Sequence, residues 1–175
     1  MNLIQKNRTF FLKNKLFLLV LAVWAISLSF RMNVYDPTIP ILLDALNFLS
    51  YAIDVNVLGG LPENYAVSKP GWSILLAGLF SIFDFSETNS YMQLQRITSI
   101  FISSITIFPL YFLCNVFVEK KYSIIGATMF AFVPRLIENS MYGTAEPLFI
   151  LFLITTILLF LKNSRKYLYI SFLFA

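Results

Sequence analysis

Asp44, Asn47, Tyr51 and Asp54 are spaced by 3, 4 and 3 residues, which puts them on one stripe of a helix. The remaining positions of 41–58 are mainly Leu, Ile, Phe, Ala and Val. Two readings of this stripe are open. It faces water from a surface helix, or it lines a cavity at a membrane surface. Simple adhesion to anionic headgroups would place Lys and Arg there instead. Three cations share the setting: Lys69 before the apolar run 71–83, Arg96 before 97–118 and Arg135 beside Pro134. Each is either a side chain snorkelling to the headgroups or a partner for the phosphate of a lipid. Glu146 precedes Pro147 at the head of another apolar run. It is an acid favourable to a helix dipole, or a carboxylate at the mouth of the cavity that Asp44 and Lys69 face. Glu138 and Asn139 read as solvated. The chain has no histidine, so the usual imidazole base and the commonest metal ligand are missing.

The elements that must position these groups are membrane elements. The chain is 58% hydrophobic and 13% charged, with 19 Phe and 9 Tyr, and its mean hydropathy is +0.76. Soluble domains are about half apolar and about a quarter charged. Apolar runs recur to the C-terminal end, which predicts an all-α polytopic transmembrane bundle. The isoelectric point is about 9.2, yet the basic residues flank apolar runs in small groups, the pattern of cytoplasmic membrane flanks rather than of nucleic-acid binding. One cysteine, Cys114, allows no disulfide within the chain. Residues 31–35 after the first run offer no small-x-small cleavage site, so 16–30 reads as an uncleaved first span with a cytoplasmic N-terminus.

Charge then assigns the sides. If 71–83 lies at the interface, nine cations fall inside (Lys6, Arg8, Lys13, Lys15, Lys120, Lys121, Lys162, Arg165, Lys166) and four outside (Arg31, Lys69, Arg96, Arg135). If it spans, the count becomes six inside and seven outside. The positive-inside bias selects the first arrangement. The expected organisation is one membrane domain over 1–175. It has spans at 16–30, 97–118, 122–137 and 147–161, and a further helix beginning at 167–175. The outer loop 31–95 carries amphipathic juxtamembrane helices over about 41–58 and 70–84. Gly59-Gly60-Leu61-Pro62 ends the first of these, and Pro70 suits the first turn of the second.

The ordered series Asp44; Gly59-Gly60-Leu61-Pro62; Lys69-Pro70-Gly71-Trp72; Gln95-Arg96-Ile97; Pro109-Leu110-Tyr111-Phe112-Leu113; Lys120 to Ala127; Ala131-Phe132-Val133-Pro134-Arg135; and Gly143-Thr144-Ala145-Glu146-Pro147-Leu148 resembles the N-terminal portion of the polytopic GT-C glycosyltransferases. That class includes the protein O-mannosyltransferases and the lipid A aminoarabinose transferases. The resemblance covers roughly residues 15–175 and rests on the order of the series. It implies a polyprenyl- or dolichyl-phosphate sugar donor, a protein, lipid or glycan acceptor, and work on the extracytoplasmic face of the cell membrane. It assigns Asp44 as the essential acid of the first outer loop, Lys69-Pro70 as the pair opening the next apolar helix, and Glu146 as the later acid. Some members carry an acidic pair where Asp44 is followed by Ala45, so Asp36 and Asp54 stand as alternative acids. Family chains are several times longer, and the end of this one inside an apolar run is read as the mark of a fragment.

The implied chemistry suits these residues. A lipid phosphate is already a good leaving anion and needs cations, here Lys69, Arg96 or Arg135. An attacking acceptor hydroxyl needs a base, here Asp44, while Glu146 orients the acceptor or helps hold a divalent ion. No cofactor is required, scattered carboxylates do not support a dedicated divalent-cation site, and no nucleotide loop occurs. Two other functions compete: a catalytically inactive membrane scaffold of the same fold, and a lipid transporter. Spans without mid-membrane charge, whose hydroxyls bond their own helix or a neighbour, disfavour the transporter.

Overall fold

The computed structural model describes residues 3–62, 71–83, 85–162 and 165–174, with the side chains of 3–14, 165, 173 and 174 excepted. Among the described residues the chain is all-α: α1 Leu3–Val34, α2 Leu43–Leu58, α3 Gly71–Phe80, α4 Thr88–Ile105, α5 Ile107–Phe117, α6 Lys120–Ala131, α7 Pro134–Met141, α8 Glu146–Phe160 and α9 Arg165–Phe174. Among the described residues two stretches are long and apolar enough to cross a membrane, Lys15–Val34 (20 residues) and Thr88–Phe117 (30 residues). At about 1.5 Å per residue, the first already reaches the roughly 30 Å of a hydrocarbon core. α3, with 10 residues, and α8, with 15, are apolar but shorter than that.

Proline and glycine explain the breaks. The run expected over 97–118 begins earlier, at Thr88, and is interrupted at Thr106, where the backbone keeps helical angles (φ −59, ψ −19). Pro109 has no N–H to give the carbonyl four residues back, and its ring crowds that carbonyl. The helix expected over 122–137 is two helices. α6 tightens at its end, where Phe132 and Val133 donate to carbonyls three residues back. Val133 is restricted by the proline that follows, and Pro134 starts α7 at the position it tolerates best. α2 stops at Gly59, which adopts φ +64.

The chain divides into two compact units. Unit 1 comprises residues 1–30, 104–133 and 150–175. Its core joins Val20, Ile107, Tyr111, Ala127 and Ala131. Phe17 meets Phe108 at 6.4 Å, while Trp24 donates from Nε1 to Ser104 Oγ at 3.2 Å, so α1 runs antiparallel to the following α5 segment. Ser27 Oγ donates to the carbonyl of Ala131 at 3.2 Å. α5 and α6 form a hairpin at close range, since a Cβ on Gly126 would lie 3.1 Å from Cys114 Sγ. Small residues allow such approach between apolar helices.

Unit 2 comprises residues 31–103 and 134–149. Its core is Leu49 and Ala52 of α2, Trp72, Leu76, Ala77 and Phe80 of α3, and Leu148 of α8. Their spacings of three and four residues are those of one helix face meeting another. Ser73 Oγ adds a hydrogen bond to the carbonyl of Phe48 at 3.0 Å. Arg31, in the last turn of α1, is fully buried. It donates to Ser103 Oγ at 2.8 Å, Ser140 Oγ at 3.0 Å and the Leu136 carbonyl at 3.5 Å. The cation that sequence counts only as an outer charge thus ties α1 to α4 and α7.

Candidate functional site

One backbone carbonyl gathers the segments that carry the candidate residues. The oxygen of Gly143 accepts from Trp72 Nε1 at 3.1 Å and from Gln95 Nε2 at 2.7 Å. Gln95 Nε2 also donates to the carbonyl of Ala45 at 2.9 Å. α2, α3, α4 and the turn before α8 therefore meet through one glycine and one glutamine. Gly143 adopts φ +73, and a Cβ there would lie 3.1 Å from Gln95 Cγ and 3.3 Å from Arg96 Cγ, so the turn is built for glycine. Ser99 Oγ donates to the Thr144 carbonyl at 3.5 Å, and Thr144 Oγ1 to the Asn139 carbonyl at 3.0 Å. The entry into α8 is fixed on both sides.

Each of three candidate residues sits beside this node. Asp44 directly precedes Ala45, Arg96 directly follows Gln95, and Glu146 comes three residues after Gly143. Asp44 and Glu146 are exposed, each in the first turn of its helix, where a carboxylate is favoured by the dipole. Arg96 is 2% exposed. Its Nη1 donates to the carbonyl of Asp36 at 3.4 Å and its Nη2 to that of Ile39, so the guanidinium clamps the segment between α1 and α2. Gln95 Oε1 and Arg96 Nε are buried with no hydrogen-bond partner among the described residues. Buried polar atoms of this kind call for a water or a ligand group, and a hydroxyl suits both, since it donates and accepts.

The other candidates lie elsewhere or outside the description. Lys69 and Pro70 are outside the described residues. Arg135 is exposed and pairs with Glu138 at 3.6 Å, an exposed pair of small energetic consequence. The acidic stripe of α2 is not exposed along its whole length. Asp44 and Asn47 are exposed, Asp54 is half-buried and Tyr51 is buried. The face of α2 that joins the core is set by Ala45, Leu49 and Ala52, and Tyr51, on another side of the helix, is buried as well. A groove of about 540 Å³ between the end of α2 and α3 is lined by Val55, Gly59, Leu61, Ile74 and Gly78 among others, and none of the candidate acids or cations lines it. Among the described residues no cluster of three or more His, Cys, Asp or Glu stands where a metal ion would be held.

Asp36 forms a turn of its own. Its Oδ1 accepts from Thr38 Oγ1 at 2.7 Å and from the Thr38 amide at 2.9 Å. These bonds, with the Arg96 charge adding to them, hold its carboxyl below the usual carboxylate range. The sequence signals for the positioning residues are faint. Gln95 is one polar residue at the head of a helix, and Gly143 is one glycine among polar neighbours. Comparison with protein-family models, with curated proteins and with solved structures finds no match.

Two predictions follow from this geometry. Gly143→Ala combines a left-handed backbone with a clash, and is expected to cost about 3 kcal/mol. Gly59→Ala, where the added methyl meets open space, costs about 1 kcal/mol. Unfolding midpoints in detergent compare them, and equal losses would remove the special status given to Gly143. For Asp36 the lowered pKa belongs to the folded state. Its stabilisation of the turn is present above the usual carboxylate range and is lost as pH falls through the lowered value. Protection of the Thr38 amide, its exchange rate relative to that of an unstructured amide at the same pH, should therefore fall in that acid window, and Asp36→Asn should remove this change in protection.

Proposed function

We propose that this chain is a polytopic membrane glycosyltransferase of the GT-C kind, or the N-terminal part of one. It transfers a sugar from a polyprenyl- or dolichyl-phosphate donor to an acceptor on the extracytoplasmic face. The observation that carries the reading is the Gly143 node: two acids, Asp44 and Glu146, and the Gln95–Arg96 pair lie beside hydrogen-bonded residues within one unit. In this reading Asp44 accepts the proton of the acceptor hydroxyl as it attacks the sugar. The carbon–oxygen bond to the phosphate breaks, and Lys69 stabilises the released lipid phosphate. Glu146 orients the acceptor. The buried Oε1 of Gln95 and Nε of Arg96 hold a sugar hydroxyl. Arg96 otherwise serves the fold, because its terminal nitrogens are engaged by the carbonyls of Asp36 and Ile39.

That engagement favours a second reading, a membrane scaffold that keeps the helix arrangement without catalysis. Asp44→Asn in the full-length protein separates the two. The substitution is nearly isosteric on an exposed position, so the fold should persist. Release of polyprenyl phosphate from a polyprenyl-phosphate-linked sugar, measured in membranes, should fall by about 10²–10⁴-fold. Undiminished release would leave the scaffold as the better account.

A further inference from the structure

Gln95 and Arg96 are not alone in presenting a buried atom with nothing to bond. Tyr35 Oη is a third such atom among the described residues of unit 2. The Tyr35 amide donates to the Arg31 carbonyl at 2.9 Å, so helical bonding runs one residue past Val34. Residues four apart share a helix face. Tyr35 therefore follows Arg31 onto the face that meets α4 through Ser103. Arg96 stands about two turns before Ser103 on α4, and it reaches the carbonyl of Asp36, the residue after Tyr35. With contacts to α4 on either side of it in the chain, Tyr35 stands against the stretch of α4 between Arg96 and Ser103. Gln95 and Arg96 both come within contact of the Cβ position of Gly143, which brings them together at one end of that stretch.

The three atoms differ in what they can bond. Both bonds from Gln95 Nε2 go to carbonyls, so the amide orientation is fixed and Oε1 is left as an acceptor that cannot donate. Arg96 Nε is a donor that cannot accept, and the Tyr35 hydroxyl does both. A carboxylate brought here would turn an acceptor toward Oε1. An ammonium would stand beside the guanidinium charge away from water, where like charges repel strongly. A neutral hydroxyl donates to Oε1 while it accepts from Nε, and a second hydroxyl next to it meets Tyr35. A buried polar atom without a partner is costly to the fold, and a ligand that bonds it removes that cost.

We infer that Tyr35, Gln95 and Arg96 form one subsite for adjacent hydroxyls of an uncharged sugar, and that Tyr35 is a specificity-determining residue. The inference rests on the transferase reading and narrows its donor to a neutral sugar, against an amino sugar or a sugar acid. The full chain in phosphatidylcholine nanodiscs is titrated with bare polyprenyl phosphate, with polyprenyl-phosphate-linked glucose, mannose and galactose, and with polyprenyl-phosphate-linked aminoarabinose. The unfolding midpoint reads both stability and affinity. Wild type should bind at least one neutral conjugate more tightly than bare polyprenyl phosphate, and the aminoarabinose conjugate no more tightly. Tyr35→Phe should keep or raise the unliganded midpoint, because its hydroxyl has no partner to lose. It should weaken the neutral conjugate about tenfold and leave bare polyprenyl phosphate unchanged. Tyr91→Phe calibrates the first readout, since the Tyr91 hydroxyl accepts from the Phe85 amide at 3.1 Å. A Tyr35→Phe midpoint lowered as far as that of Tyr91→Phe, an unchanged affinity for the neutral conjugate, no neutral conjugate bound beyond bare carrier, or equal binding of the aminoarabinose conjugate would overturn the subsite and leave the transferase reading in place. Failure of wild type to bind bare and conjugated polyprenyl phosphate alike would overturn that reading and the subsite with it.

Discussion

The hydrogen bonds at the Gly143 carbonyl constrain unit 2 more than any apolar contact does. Hydrophobic packing is tolerant of small shifts, whereas a buried carbonyl shared by an indole and an amide sets distances and directions at once. Gln95 donates to both Gly143 and Ala45, so α4 cannot slide against α2 without leaving a buried acceptor unmade. The left-handed backbone at Gly143 lets the two side chains Gln95 and Arg96 close over it. From that packing come the positions of Asp44, Arg96 and Glu146, which are neighbours of the node in sequence and need no long loop to reach it.

The same economy runs through the hydroxyls. Ser99, Ser103, Ser104 and Ser140 sit on apolar or amphipathic helices and each meets a partner from another segment. Buried away from water, such bonds replace solvent for both groups. Arg31 is the largest case. Its guanidinium is wrapped by two serines and a carbonyl within unit 2, so a charge at the end of an apolar stretch is satisfied by the fold rather than by headgroups.

Much of the fold was legible from hydropathy and from Pro and Gly. The helices begin or end where Gly59, Pro134 and Pro147 require, because those residues act locally through φ and the missing N–H. The split of 122–137 at Phe132–Val133 was missed although Pro134 was in view, since an apolar run hides a break that leaves its composition unchanged. The candidate acids Asp44 and Glu146 could be picked out because carboxylates are rare in so apolar a chain. The roles of Gln95, Gly143 and Arg31 could not, because each depends on a partner 48 to 109 residues away. The burial of Tyr51 could not be read for the related reason that a periodic stripe says nothing of where a neighbouring segment lies.

The central claim is that the acids and cations beside the node share one side of the membrane, with α3 lying on that side. Labelling of single cysteines tests it in a Cys114→Ala background. Cysteines at Asn89, Met141 and Val118 are exposed to an impermeant thiol reagent on intact cells. The account predicts that Asn89→Cys and Met141→Cys are labelled from outside and Val118→Cys only after permeabilisation. The reverse pattern would mean that the α3 segment crosses the membrane, leaving Asp44 and Glu146 in different compartments, and would contradict the site.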